Sequence, residues 1–515
     1  MQISYWPGVF ALIIGIFMSI LDTSIVNVAL PKMMNVFGVS TSEIQWVLTA
    51  YTMAMAAVIP LTGYLCDRFG MKRMYLISFI LFTVGSLFCG LAWSNNSMIV
   101  ARIIQALGGG LIMPVGQALI FHTVPEEKMG AAMGIFGISA MVAPAIGPTL
   151  SGYIVEYLDW RIIFTINVPI GLIGILMAWT FLQETEIKKD KVFDFPGFIY
   201  STVMLTSLLL AVAKGEEKGW TSFYIVSLIM ISIICLSLFI YRQLTARHPL
   251  INIRLFTIPD FTYGVIVNSL IMVGMFGVVF LLPIYAESLL GLTAMKTGMM
   301  MLPQVLVQMV VTFVTSAILM RIINGKWLIL AGLLIISVNG YYLIRLDDNT
   351  AYEHIQFLLM LRGIGLGLCM MVSMQVPLQG LDKSQSGDAS ALMNTTRQVA
   401  TSIGVAILTS VFQTQGVRHA VHYAETITGD NATSSSFLNS LQQMYIAQGM
   451  GNEAAYASAI NSLTGLVKRY ATIHALDDAI LVTTFFIISA IPMTLLLKGK
   501  QGMAKNEKTN TIAEM

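Results

Sequence analysis

Charge is what this chain has least of. Asp, Glu, Lys and Arg make up 11% of its 515 residues, where a soluble globular domain carries about 25%. That shortage excludes an ordinary water-soluble fold and a solvated, disordered chain alike. Cysteine is as scarce: there are four, Cys66, Cys89, Cys235 and Cys369, each within or beside an apolar run and none in a CxxC pair. Neither a disulfide framework nor a metal centre is expected. The six histidines (His122, His248, His354, His419, His422, His474) fall in loops or at the edges of apolar runs, which argues against a histidine relay at mid-membrane. No Ser/His/Asp set and no phosphate-cradling glycine loop is present. An enzyme, an ATP-driven pump and a cofactor are therefore not expected. The net charge of +2 follows from membrane topology and does not point to nucleic acid. The opening MQISYWPG has no basic segment, and no small-residue cleavage site follows the first apolar run. That run therefore reads as a retained span, not a removed signal.

What the chain does have is hydrophobic surface: 56% of its residues, with 42 Gly and 34 Met and a mean hydropathy of +0.77. Glycine and methionine in such numbers suit closely packing, adaptable helices. Apolar runs separated by turn and charge signals occupy 8–30, 45–65, 75–93, 97–119, 130–154, 161–182, 196–213, 222–242, 262–283, 297–320, 327–344, 354–376, 390–412 and 477–497. Runs of this length cross a bilayer as helices. The expected fold is an all-α integral membrane protein of 14 transmembrane helices. Residues 413–476 form a long polar loop, in which QQMYIAQGMGNEAAYASAINSLTGLVKRY shows weak helical periodicity. It is either an external amphipathic helix that could dock a partner or a plain surface loop. The tail 498–515 reads as disordered.

Basic residues set the orientation. With the N-terminus in the cytoplasm, the inner loops hold most of them, including Arg68, Lys72, Arg73, Lys128, Arg242, Arg247, Arg254 and Arg321. The outer segments hold a sparser set that includes Lys32, Arg161 and Lys296. The excess fits both termini in the cytoplasm. Away from the span edges only Arg102, Arg362 and Arg397 of the basic residues fall within spans.

The halves echo each other. RIIQALGGG (102–110) in the fourth span matches RGIGLGLC (362–369) in the twelfth, and the interval from Gly130 to Gly147 in the fifth equals that from Gly387 to Gly404 in the thirteenth. Such repeats are typical of secondary transporters. The seventh and eighth spans have no counterpart. The chain therefore divides into a six-helix bundle (1–182), two additional helices with their linkers (183–261), and a second six-helix bundle (262–497).

Asp22, in LDTSIVNVALP, is the one acid inside the first span. A carboxylate at that depth is costly and usually functional. At 1.5 Å rise per residue Asp22 sits roughly 4–5 Å and Arg102 roughly 9 Å to the outside of the midplane, a gap an Arg side chain covers. Burial favours the neutral acid, whereas a guanidinium favours the carboxylate. A site whose Arg contact changes between conformations could load and release a proton. A structural ion pair is the alternative. Gln105, near Arg102, is its expected hydrogen-bond partner.

GYLCDRFGMKR (63–73), RIIQALGGG and APAIGPTLSG (143–152) resemble conserved motifs of the major facilitator superfamily. LDTSIVNVALP, DWRIIFTINVPIG (159–171) and NTTRQVATSIGVAI (394–407) resemble its 14-span drug:proton antiporters of the EmrB/QacA type. The resemblance implies two six-helix bundles plus two inserted helices in a bacterial cytoplasmic (inner) membrane. It also implies proton-coupled efflux of hydrophobic or cationic drugs by alternating access, and a periplasmic adaptor and outer-membrane channel as partners that could meet the outer loop. Two departures stand out: an extra Pro144 with Ser151 before Gly152 in the fifth-span motif, and a tenth span, MLPQVLVQMVVTF, without an acid. The second counts against dicationic substrates. An exporter of one metabolite, peptide or siderophore is the alternative on the same scaffold, and a channel or receptor is the alternative class.

Within that frame each motif has a physical reading. Gly63 and Gly70 permit close approach and unusual backbone angles in a turn that also carries Asp67, Arg68, Lys72 and Arg73. Asp67 could latch the N-terminus of the thirteenth span near Gly387 by charge–dipole attraction. Pro144, Gly147, Pro148 and Gly152 bend the fifth span or let it pack closely. Arg362 and Arg397 have no acid at their depth and must face water, carbonyls or an anion. Arg397, with Asn394 and Gln398, could line a midplane cavity together with Asn27, Trp46, Tyr51, Gln117, Met272, Phe276, Gln304, Gln308 and Met374. Side chains of these kinds are more often simple packing than cavity lining.

Overall fold

A computed structural model describes residues 5–187, 190, 192–346, 350–379, 381–382, 385–426 and 432–498. The expected tail beyond Lys498 lies outside them. Every apolar run falls on a helix. The first set comprises α1 (Trp6–Phe37), the short α2 (Thr41–Ile44), α3 (Trp46–Val58), α4 (Thr62–Phe69), α5 (Met71–Gly90), α6 (Asn95–Thr123), α7 (Glu126–Tyr157), α8 (Ile162–Thr165) and α9 (Asn167–Phe181). Two further helices follow, α10 (Phe195–Lys218) and α11 (Phe223–Thr245). The second set comprises α12 (Pro259–Ser288), α13 (Ala294–Val314), the single turn α14 (Met320–Ile322), α15 (Gly325–Leu343), α16 (Tyr352–Gln375), α17 (Ser386–Thr426), α18 (Ala432–Ala447) and α19 (Asn452–Leu495).

Among the described residues twelve helices are long and apolar enough to cross a membrane. A thirteenth is α7, bent by 41° between Lys128–Pro144 and Thr149–Tyr157. The run at 390–412 lies on α17, which is helical but interrupted by Asn394, Thr395, Thr396, Arg397 and Gln398. Within the bundles α17 meets protein on most sides: it packs against α4, α6, α10, α12 and α19. A helix so enclosed can carry polar residues that a lipid-facing one cannot.

The two halves pack alike. In the first, α1 packs on α7 and α9, α6 on α3 and α5, and α5 on α9; in the second, α12 packs on α17 and α19, α16 on α13 and α15, and α15 on α19. The sequence echo is therefore an architectural repeat of two six-helix bundles. The inserted α10 lies against both α3 and α17, bridging the bundles along one side, with α11 outside it. A polar clasp ties this pair to the chain. Asp194 caps α10 by accepting from Gly197 N (3.2 Å), Arg242 Nε (2.9 Å) and Gln243 Nε2 (3.0 Å), and Gln243 Oε1 accepts from Ile251 N. The Asp194 side chain is fully buried. Asp194→Ala removes a cap and leaves those donors unpaired, so it should cost about 1–2 kcal/mol. A lower melting temperature in detergent, with normal transport at low temperature, is the expected result.

Of the two readings of 413–476, the structure takes the helical one over the plain loop. The segment is largely helical: α17 runs on to Thr426, α18 follows, and α19 begins at Asn452, far ahead of the apolar run at 477. The α18–α19 turn sits at Gly449, whose φ is +92°. Extensions beyond the apolar core are mixed in polarity, so their helical period is faint in the sequence.

Candidate functional site

Two glycines explain how polar side chains meet inside the first bundle. A side chain at Gly85 of α5 would lie 2.5 Å from the backbone of Gln105 on α6, and one at Gly108 would strike the Ser78 and Phe82 backbone of α5. The helices touch at backbone distance, which carries Arg102 and Gln105 to the bundle axis. There Arg102 Nη1 donates to Asp22 Oδ2 at 2.5 Å and to Gln105 Oε1 at 2.6 Å. Asp22 Oδ1 accepts from Gln105 Nε2 (2.8 Å) and Asn167 Nδ2 (3.2 Å). Ser86 Oγ accepts from both amides, at 2.6 and 3.0 Å. The guanidinium lies 3.8 Å from the centroid of the Tyr51 ring, a cation–π contact. Asp22, Arg102, Gln105 and Ser86 are wholly inaccessible. Nε and Nη2 of Arg102 have no hydrogen-bond partner among the described residues.

The expected Asp22–Arg102–Gln105 set thus comes together. Ser86 and Asn167 were not expected at the site. Asn167 stands in the DWRIIFTINVPIG motif, which was its only signal; Ser86 gave none beyond being a small polar residue in an apolar span.

The face carrying Trp6, Lys498 and the 67–73 turn is here the terminal face, and the opposite one the distal face. Toward the terminal face one apolar cluster runs through both bundles, joining Ile112, Val115, Leu119, Met133 and Phe136 to Phe261, Met272, Met371, Met374 and Leu392. Toward the distal face the clusters are separate, one per bundle. The interface is therefore sealed on the terminal side. Two close points on that side are Gly63 of α4 against Gly387 and Asp388 of α17, where a side chain at Gly63 would run into the Asp388 carboxylate, and Gly130 of α7, where a side chain would run into the Ser316 backbone. Asp67 lies one turn on from Gly63 on the same helix face, with Arg68 beside it. Gly70 has φ +91°. A side chain there would collide with Glu184, whose carboxylate accepts from the backbone N of Lys72 (3.1 Å) and Arg73 (3.2 Å) and pairs with Arg73 Nε at 3.5 Å. Glu184, unremarked in the sequence, caps α5.

In α7, Gly147 packs against Ser24 of α1, and Ser151 Oγ donates to Ile25 O at 2.6 Å. Close packing does not extend to Gly152, which has open space around it. Pro144 is exposed, in the bent region, and the Pro148 side chain lies outside the described residues.

On the distal side a cavity of about 360 Å³ opens between the bundles. Leu48, Thr49, Thr52 and Met53 of α3, Leu209 and Trp220 near α10, and Thr401, Ser402, Val405 and Thr409 of α17 line it. Helix α3 thus shows the cavity one face and sets Tyr51 against Arg102 with the other. Across the way Thr149 meets Gly298, so α7 and α13 stay together and the cleft opens on the α3–α17 side. The residues expected to line a cavity lie elsewhere in this conformation. Met272 and Met374 are in the sealed core. Gln304 and Gln308 are buried, the latter donating to Met370 Sδ at 3.8 Å. Asn27 and Trp46 are exposed, and Phe276 has its side chain outside the described residues. Arg362 donates to Gly274 O of α12 at 2.8 Å, so a carbonyl serves it where a carboxylate serves Arg102. Gln117 accepts from Asn394 Nδ2 at 2.9 Å, a hydrogen bond between the bundles, and Arg397 Nη2 donates to Asn394 Oδ1 at 2.8 Å and touches Met113 Sδ.

A model of the Major Facilitator Superfamily matches residues 12–405. The MFS-type transporter YhcA of Bacillus subtilis is 32% identical over 504 residues, 96% of this chain and 94% of that protein. The multidrug export protein EmrB of Haemophilus influenzae is 30% identical over 437 residues, 84% of this chain and 85% of its own. The solved structure of the proton:xylose symporter XylE aligns with a TM-score of 0.58 at 13% identity, covering 94% of this chain and 95% of that one; at that identity the likeness is one of fold.

Proposed function

We propose that this chain, which belongs to the Major Facilitator Superfamily, is a proton-coupled multidrug exporter that works by alternating access. Being a transporter of that superfamily, it is not an enzyme. The observation that carries the proposal is the sealed Asp22–Arg102 pair with α3 between it and the interbundle cleft. Neutralising Asp22 would leave Arg102 buried without its counter-charge, a state costing about 3–5 kcal/mol. Protonation must therefore be accompanied by movement of Arg102, of the Tyr51 ring stacked on it, and so of the cavity wall. The multidrug role is supported by relatives named for multidrug export and lincomycin resistance.

The excess of basic residues assigns the terminal face to the cytoplasm, so this conformation is the outward-facing one: drug leaves through the distal cleft, and a proton enters. The helical projection of α17, α18 and α19 beyond the membrane is the surface that a periplasmic adaptor, joined to an outer-membrane channel, would meet.

Purified protein in weakly buffered detergent should release protons when a transported drug is added, and inverted vesicles should accumulate drug only while a pH gradient stands. Drug accumulation unchanged after collapse of the gradient would reject the coupling.

A further inference from the structure

The charges within the spans are unbalanced. Away from the span edges three guanidiniums, Arg102, Arg362 and Arg397, face one carboxylate, Asp22, and that carboxylate is taken by Arg102. Arg362 is settled, buried on the Gly274 carbonyl. Arg397 is not settled in the same way. Among the described residues no acid lies within ion-pair distance of it; its partners are the neutral Asn394 Oδ1 and the sulfur of Met113. It is only half-buried, and its position is specific. Arg397 lies one helical turn below Thr401, and Thr401 and Val405 line the cleft on that same face of α17. The Gln117–Asn394 hydrogen bond closes the space beneath it. The cleft wall carries hydroxyls and apolar side chains and no carboxylate.

A cleft with apolar walls and a few hydroxyls, with a half-buried guanidinium one helical turn beneath its lining Thr401 and without an acid partner among the described residues, disfavours cations and rewards an anion that brings its own apolar body and can reach down to Arg397. We propose that Arg397 makes this cleft a binding site for amphiphilic organic anions, carboxylates or sulfonates attached to an aromatic or aliphatic body that a space of about 360 Å³ accommodates. The proposal rests on the cleft being the substrate cavity of the exporter, and it narrows the hydrophobic-or-cationic expectation from the sequence to the opposite sign of charge.

Fluorescein and rhodamine 123 test this directly, because they share a phenylxanthene body and carry opposite charges. Fluorescence anisotropy with the full-length protein in zwitterionic nanodiscs at neutral pH should show saturable fluorescein binding that weakens with salt, and much weaker binding of rhodamine 123. Arg397→Gln should lower fluorescein affinity by about tenfold or more, Arg397→Lys should keep most of it, and Thr401→Asp should reduce it by placing a carboxylate one turn above the guanidinium. Tighter binding of rhodamine 123, no binding of fluorescein, or fluorescein affinity equal in wild type, Arg397→Gln and Thr401→Asp would each overturn the proposal. Since binding needs no gradient, normal fluorescein binding together with absent proton release would sink the proton coupling and leave the anion site in the cleft standing.

Discussion

Asp22→Asn should reduce proton-driven efflux to the level of vesicles without transporter while leaving a folded, membrane-inserted protein. Asparagine has the shape of aspartate, so one carbonyl oxygen can still accept from Gln105 and Asn167 as Oδ1 does. What it cannot do is carry charge or bind a proton near neutral pH. Its amide would also present hydrogens where Asp22 Oδ2 now accepts from Arg102. The guanidinium is then buried against neutral groups, and the link between proton occupancy and the position of Arg102 is gone. Because stripping one partner from a buried pair costs about 3–5 kcal/mol, a double variant, Asp22→Asn with Arg102→Gln, separates instability from loss of coupling. It restores charge balance and should recover thermal stability, yet should remain inactive in gradient-driven efflux. Wild-type drug/proton exchange by Asp22→Asn in proteoliposomes would refute the role.

What the sequence disclosed follows from how strongly membranes punish exceptions. Apolar runs found their helices because lipid leaves a buried backbone few other choices. Asp22 and Arg102 met because each is costly alone in an apolar bundle. The polar α17 passed as a span in the sequence only through its apolar flanks; its enclosure by α4, α6, α10, α12 and α19 explains both its helicity and its polarity. Ser86 and Asn167 were hidden because small polar residues in a span carry little penalty and so little signal. Glu184 was hidden because its partners, the backbone N–H groups of Lys72 and Arg73, lie over a hundred positions away in sequence. The residues expected at a cavity stand away from the distal cleft in this conformation for a different reason. Which side chains line a cleft depends on which conformation is populated, and no pattern along the chain encodes that. Met272 and Met374 lie in the sealed half here and would come to line an opening only if the terminal side parted.

Parting that side is what Gly63→Leu should do. The backbone of α4 at Gly63 lies against Gly387 and Asp388 at the start of α17, where a Cβ would meet the Asp388 carboxylate and lie 3.3 Å from the Asp388 backbone, so a small side chain displaces that carboxylate and a large one also meets the α17 backbone. Leucine, branched and longer than the displaced carboxylate can clear, forces the two bundles apart at this contact. Overpacking of this kind costs about 1–3 kcal/mol, enough to shift a two-state equilibrium by about 5–150-fold. Nothing in the distal half opposes the shift on the α3–α17 side, where the apolar clusters are already separate. The variant should fold, bind drug from the terminal side and fail to complete the cycle. A native reporter sits beside the contact: Cys66, one turn from Gly63 on α4, is reduced and 1% exposed, and its Cβ lies near Gly387. With Cys89, Cys235 and Cys369 replaced by alanine, a membrane-impermeant maleimide applied from the terminal side should label Cys66 slowly in the wild-type background and many times faster in Gly63→Leu. Gly63→Ala, with a smaller intrusion, should fall between them. Equal labelling in all three, together with normal efflux by Gly63→Leu, would mean that the α4–α17 contact is not the gate and that the terminal side closes elsewhere, along α7 and α13.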